Sequence, residues 1–497
     1  MKKLLVVTVV LALLVSCGGG GGGGGGRDGG DPNVPTATFW AQNVSTQAFY
    51  SFQAEMLASN NLCEVWVQKG SGVSKATANV IASEYSSNIY PKMKDAFSVP
   101  ITLTDVGKSF PSTIEMAHWI VEELTGKKNS KLTILLLDIK DDYQKGVNEA
   151  YVAGYFAMRD FYPEAEAIKQ SVHSNERTII SMDINPGLND LDDLDEFYST
   201  IAHELQHLMN FATNLITKEN LVDVWVNEGL SAAAEWVYTG QYSEIRIDTF
   251  NKDPSTLIKK GNNFFVWGNR DEENQYANLD DYATVYLFFQ WLRLKGSGTD
   301  VYKKIIFSEE ADYGAVVEAM KGTSYSTWPK LLEGWMKASF YRSNSDGYDN
   351  VLNNKLQFNI YAPGGSNSLD LWPGEGVYSY VDTSRSVTSS SGNINYLGLN
   401  IGGSTTATID VGGALLTYNN STSNGFDDVP LKKDPGTITG TAAPNIVTSG
   451  RFSTPDILRR PYAISMGDMI RRRGGNERNF DLTVIDSTKL FKGVLIE

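Results

Sequence analysis

Ser199-Thr-Ile-Ala-His-Glu-Leu-Gln-His207 is the stretch on which the reading of this chain turns. His203 and His207 stand four residues apart. On an α-helix that spacing sets two side chains on one face, about 40° apart, so both imidazoles can reach one point in space. Glu204, next to His203, can bring a carboxylate toward the same point. A helical His-Glu-x-x-His is the arrangement that holds a zinc ion with a carboxylate beside its water. The flanks favour a helix over 195–212. It opens on Asp195 and Glu196, where acidic side chains complement the helix dipole.

A catalytic zinc takes three protein ligands and keeps a fourth position open. A metzincin would carry Gly at 210 and His at 213, but this chain has Asn210 and Thr213, which excludes that branch. The two remaining histidines, His118 and His173, lie upstream without ligand-like neighbours. The search therefore passes to carboxylates, and Trp225-Val-Asn-Glu-Gly-Leu-Ser-Ala-Ala-Ala-Glu235 supplies them. Glu228 follows His207 by 21 positions, enough for the end of one helix, a turn and a second helix over 221–238 returning alongside. Glu235 is seven residues further on and shares the face of Glu228. From there it could accept a hydrogen bond from the second nitrogen of a ligand imidazole and fix its tautomer.

The scarcity of the chemistry-bearing residues sharpens this. The chain has 497 residues, 41% of them hydrophobic, so it is expected to fold into more than one packed domain. It has only 2 Cys and 4 His, which excludes a disulfide scaffold and a multi-Cys structural zinc site. A formal charge of −15 argues against general nucleic-acid binding, which needs a basic footprint.

Residues 1–16 read as a signal peptide, with Met1-Lys2-Lys3 followed by an apolar run that is too short to span a bilayer. Leu14-Val15-Ser16-Cys17 resembles a bacterial lipobox, which implies that Cys17 is lipidated and becomes the mature first residue. Gly18 to Gly26 are consecutive glycines, a flexible tether within 17–34. The expected localisation is the cell envelope, with the protein held to a membrane through Cys17 and facing the extracytoplasmic side. Cys63 then has no partner in the chain.

Residues 35–215 read as an α/β (α+β) lobe ending in the zinc helix. Strands are expected over 64–68, 132–137, 150–158 and 177–184, and a helix over 76–97. Residues 216–349 read as a helical lobe, with helices over 221–238, 281–294, 315–320 and 328–339. Residues 350–497 are rich in Gly, Ser, Thr and Asn, with short alternating runs at 376–381 and 406–411, and read as an all-β domain. Asp183, Asp190, Asp192, Asp193 and Asp195 crowd the approach to the zinc helix. Calcium is one reading of that crowd and dipole complementation another, and the spacing does not meet the EF-hand loop.

The zinc motif with Asn227-Glu228 on the following helix resembles the gluzincins, and several stretches resemble the hyicolysin family within them. These are Asn175-Glu-Arg-Thr-Ile-Ile180, Ser199 to His207, Val226-Asn-Glu-Gly-Leu230 and Tyr282-Ala-Thr-Val-Tyr-Leu-Phe288, within a likeness that covers roughly residues 60–345. The resemblance implies a two-lobed catalytic domain and a secreted zinc peptidase acting on proteins or peptides. In it His203, His207 and Glu228 bind zinc, Glu204 is general base, and segment 150–158 is the edge strand that pairs with extended substrate. Thermolysin-like enzymes use a downstream His to assist the oxyanion, and this chain has none after His207. A Tyr, as in the aminopeptidase branch, is the substitute: Tyr282 first and Tyr286 second, although both lie on a stripe of helical spacing that also suits a core. An endopeptidase is the leading expectation, an aminopeptidase the nearest alternative, and a surface adhesin with a vestigial zinc site the alternative of another class.

Overall fold

The computed structural model describes residues 34–356 except 45, 47, 104–106, 142, 148–150, 190–193, 218–221, 253–276 and 342–346, together with five short strands between 376 and 419. Cys17, the signal segment, the glycine tether, Asp190, Asp192 and Asp193 lie outside the described residues. The chain opens with β1 (Thr36–Gln42), β2 (Phe49–Ser59) and β3 (Cys63–Gln68), then α1 (Lys75–Glu84) and α2 (Tyr90–Phe97). A small hairpin, β4 (Ile101–Leu103) and β5 (Lys108–Phe110), leads to α3 (Thr113–Thr125). There follow β6 (Leu132–Leu137), β7 (Gly154–Tyr155), α4 (Glu164–Lys169) and β8 (Ile179–Asp183).

Six of these strands form one sheet in the order β1-β2-β3-β6-β8-β7. β1, β2 and β3 run as an antiparallel meander, β3, β6 and β8 are parallel, and β7 closes the far edge antiparallel to β8. β6 reads Leu-Thr-Ile-Leu-Leu-Leu because both of its faces are covered. Ile134 and Leu136 join the large core on the helix side, while Leu135 and Leu137 join a smaller cluster with Phe39, Trp66 and Tyr155 on the other. β3 alternates in the same way, with Val65 and Val67 to one side and Trp66 to the other.

The expected helix over 76–97 is a helical run from Lys75 to Phe97 that widens into a π turn at Tyr85–Ile89, and both of those end residues are fully buried. The strand expected over 150–158 contracts to the two residues of β7. The reason is local: the backbone N–H of Val152 donates to Asp141 Oδ2 at 2.6 Å instead of to a strand, and Met158–Phe161 turn into a 3₁₀ helix. β7 does occupy the sheet edge, but Gly154 and Tyr155 are both buried.

The second half is helical: α5 (Asp195–Thr217), α6 (Val224–Thr239), α7 (Glu244–Lys252), α8 (Ala277–Lys295), α9 (Asp300–Ile306), α10 (Tyr313–Ala319), α11 (Trp328–Tyr341) and α12 (Asn350–Lys355). Beyond it β9 (Gly376–Tyr380), β10 (Ile394–Tyr396), β11 (Leu399–Ile401), β12 (Thr406–Asp410) and β13 (Ala414–Asn419) are strands. They form an antiparallel sheet ordered β12-β13-β9 and a β10–β11 hairpin. The content is thus mixed α/β, with both alternating runs near 380 and 410 extended as expected. Among the described residues no helix is long and apolar enough to cross a membrane. Cys63 is a buried free thiol, and burial pushes it up to about 11.

Two carboxylates, the buried Asp183 and the partly buried Asp141, hold the loops that follow β6 and β8. Asp183, at the end of β8, accepts from the backbone N–H of Ile139 at 3.0 Å and of Gly187 at 2.8 Å. Asp141 accepts from Tyr143 and Val152. Burial pushes Asp183 up to about 8 and Asp141 up to about 7. Asp183 is therefore engaged with backbone. The one set of acidic and imidazole groups with metal-ligand spacing among the described residues is a different one, so nothing there supports calcium.

Candidate metal centre

α5 and α6 lie side by side, and three contacts fix their direction. Asn227 Oδ1 accepts from Asn210 Nδ2 at 2.5 Å, Ser231 Oγ lies 2.9 Å from His207 Nδ1, and Glu235 Oε1 lies 3.1 Å from His203 Nδ1. Numbers rise on α6 as they fall on α5, so the helices are antiparallel, as the 21-residue spacing requires. Gly229 has a packing reason: a Cβ there would stand 2.3 Å from the ring of Phe289 on α8. The missing side chain lets α8 press against α6 beside Glu228.

The structure brings His203, His207 and Glu228 together, with their ligand atoms all within 4.8 Å of one another. His203 and Glu204 are fully buried, and His207 and Glu228 nearly so. Nε2 of each histidine stands 3.5 Å from Glu228 Oε2. That exceeds the usual 2.7–3.2 Å of an N–H···O bond. Two ligand atoms each about 2.0–2.1 Å from a tetrahedral zinc would stand about 3.4 Å apart.

The chemistry of the donors points the same way. A carboxylate only accepts, so the contact with Glu235 puts the ring proton of neutral His203 on Nδ1 and leaves Nε2 as a lone pair. Nε2 of His207 and Oε2 of Glu228 are both buried without a hydrogen-bond partner. Nε2 of His207 and Oε2 of Glu228 thus face each other with no proton between them, and Nε2 of His203 converges on the same oxygen, a buried arrangement that is costly unless a cation fills it. Burial pushes the Glu228 carboxyl up, and the positive charge of a protonated His207 or His203 outweighs that and holds the group below the usual carboxylate range, so this oxygen calls for a cation beside it. The residues fit a zinc ion.

A second tier braces the first. Glu235 Oε1 also accepts from Arg246 Nη2 at 2.9 Å, and both side chains are nearly fully buried. The Arg246 guanidinium lies 5.2 Å from the centre of the Tyr282 ring. Tyr282 and Tyr286, on α8, are fully buried, and the Tyr286 hydroxyl accepts from the backbone N–H of Ser243 at 2.9 Å. Burial also pushes that phenol well above its ordinary range. Ser231 and Arg246 escaped the sequence reading. Ser231 sits one turn after Glu228 on the face already singled out, so its spacing was a usable signal. Arg246 follows a turn and lies on another helix, where no spacing rule points to it. A cleft of about 510 Å³ opens at the start of α5 and the end of α6, lined among others by Glu84, Asp195, Ser199, Glu235 and Tyr238. It reaches the back of the centre through Glu235, and His203, His207 and Glu228 do not line it.

No protein-family model matches the chain. The match to a curated relative spans little more than half of either protein, 56% of this chain and 56% of the other. Over those 286 residues the chain is 29% identical to the neutral metalloprotease ShpI of Staphylococcus hyicus.

Proposed function

We propose that this chain is a zinc-dependent endopeptidase of the gluzincin kind, acting on proteins or peptides. The observation that carries the reading is the convergence of three buried acceptor atoms, from His203, His207 and Glu228, at zinc-ligand spacing, with Glu204 buried next to His203 in the chain. The likeness to a protein named a neutral metalloprotease supports it. In this reading His203, His207 and Glu228 hold the ion, and Glu235 orients His203. Bound zinc supplies Lewis acidity, polarising a carbonyl and lowering the pKa of water toward about 7. Glu204 takes the proton of the attacking water and returns it to the departing amine. The Tyr282 hydroxyl donates to the carbonyl oxygen as charge gathers there.

The rest of the chain is read in the same frame. Residues 35–215 form an α+β lobe, 216–349 a helical lobe and 350–497 a β-rich domain. Residues 1–16 are removed, and lipid on Cys17 with the glycine tether holds the enzyme to the cell envelope. The test is cleavage of casein by the zinc-loaded protein and by Glu204→Gln. The variant should retain zinc and lose about 10²- to 10⁴-fold in kcat, the usual contribution of a general base. Undiminished cleavage by the Gln variant would remove Glu204 from the mechanism, and a zinc-replete wild type that cuts nothing would leave a binding protein. Internal fragments would mark an endopeptidase, and stepwise N-terminal loss an aminopeptidase.

A further inference from the structure

His207 needs its own device to leave Nε2 free for a metal, and among the described residues no carboxylate bonds its other nitrogen in the way that Glu235 bonds His203. The atom beside His207 Nδ1 is Ser231 Oγ at 2.9 Å. A hydroxyl can donate or accept, so this contact alone does not fix the ring proton. The second neighbour of Ser231 does fix it. Ser231 Oγ donates to Gln206 Oε1 in a short contact, and an amide oxygen only accepts. The single hydroxyl proton is therefore spent on Gln206. Ser231 Oγ must accept from His207, which puts the imidazole proton on Nδ1 and bares Nε2 toward Glu228. All three side chains are buried, Gln206 and Ser231 completely, so water does not compete for these bonds.

We propose that Ser231 is a positioning residue for the metal centre, setting the tautomer of His207 with Gln206 as the acceptor that fixes its direction. Gln206 stands at a place that the His-Glu-x-x-His pattern leaves unspecified, and here it gains a task that the pattern does not require. One stripe of α6 then carries a ligand and both orienting groups: Glu228, Ser231 and Glu235, at i, i+3 and i+7. The two histidines are held by different chemistry, His203 by a carboxylate braced by Arg246 and His207 by a neutral relay.

The proposal rests on the metallopeptidase reading for its purpose, but its test does not depend on cleavage. The full chain labelled with 15N-histidine has only four imidazoles to assign. In metal-free wild type His207 should show the Nδ1–H tautomer. In Ser231→Ala the Nε2–H form should gain, and zinc affinity, read by competition with a chromogenic chelator, should fall about 10- to 100-fold. Gln206→Met frees the hydroxyl to rotate and should shift the tautomer in the same direction, while Ser231→Thr, which keeps a hydroxyl, should restore both readouts. A merely structural Ser231 would change melting without moving the tautomer. A Ser231→Ala protein that keeps the Nδ1–H form, or binds zinc within about twofold of wild type, overturns the proposal. If wild type takes up no zinc, the metallopeptidase reading falls, and the tautomer in the metal-free protein still decides the role of Ser231.

Discussion

Tyr282 and Tyr286 lie one turn apart on α8, both fully buried, yet their surroundings assign them different work. The Tyr286 oxygen is committed to the backbone N–H of Ser243, where it ties α8 to the segment entering α7. Tyr282 instead faces Arg246, which binds Glu235, which binds His203, so its ring belongs to the layer that surrounds the candidate metal ligands. Tyr286→Phe should therefore cost about 1 kcal/mol of stability, the worth of one ordinary hydrogen bond, with little change in kcat. Tyr282→Phe should lower kcat by about 10²- to 10³-fold at unchanged zinc affinity if its hydroxyl assists the oxyanion. Steady-state kinetics and chemical denaturation of both variants would check this, and a Tyr282→Phe enzyme with full kcat would end its catalytic assignment. At this scale the sequence was informative wherever chemistry follows a helical interval. His203, His207 and Glu204 are neighbours along one helix, and Glu228 and Glu235 share a face of the next. Ser231 shares that face too, but a serine carries meaning only once its partner across the helix pair is known.

Among elements, the decisive contact is the α6–α8 packing at Gly229. An alanine in a helix interior is ordinarily better than glycine by about 1 kcal/mol. Here its methyl would overlap Phe289, with the nearest ring atom 2.3 Å away and that ring fully buried, so the neighbour has nowhere to go. Overpacking of this kind costs about 1–3 kcal/mol, enough to reverse the propensity gain. Gly229→Ala should therefore melt lower and bind zinc more weakly, because α6 must shift at the residue beside Glu228. Phe289→Leu in the same chain should recover part of both losses, a non-additivity that thermal melting and chelator competition can measure. The elements legible beforehand were those whose pattern is self-contained, such as the apolar β6 and the long amphipathic α5. The hairpin of β1 and β2 and the helix α3 were not foreseen. β2 is mostly half-buried and so lacks a clean alternation, whereas α3 does bury Met116, Ala117, Ile120 and Val121 at helical spacing, a signal that the sequence offers. β7 was foreseen as too long because the donor of Val152 goes to a side chain, a choice that only the fold reveals.

For the whole molecule, the sheet and the helical half meet at α5, whose flank faces both β7 and α6. Gly154 of β7 comes so close to Thr200 that a Cβ would stand 3.2 Å from its methyl, and one turn later the same helix offers His203 to α6. The candidate metal centre is therefore set into the packing that joins the two halves of the described body, and the unpartnered His207 Nε2 and Glu228 Oε2 are a burden on the fold when nothing neutralises them. Two consequences follow for stability. A metal that binds only the folded chain should stabilise it by about 4 kcal/mol when free zinc is a thousandfold above its Kd, so the melting temperature should rise with zinc concentration. Removal of metal should also soften α5 and α6 together, since their shared ligand set is what the ion satisfies. Differential scanning calorimetry of the chain treated with chelator, then titrated with zinc, should show a lowered transition that climbs back with the metal. Calcium at the same concentrations should do little, because two imidazoles and one carboxylate suit zinc and offer a hard cation too few oxygens. A transition indifferent to both chelator and zinc would mean that the three acceptors find another partner, and the assignment of His203, His207 and Glu228 as a metal site would fail with it.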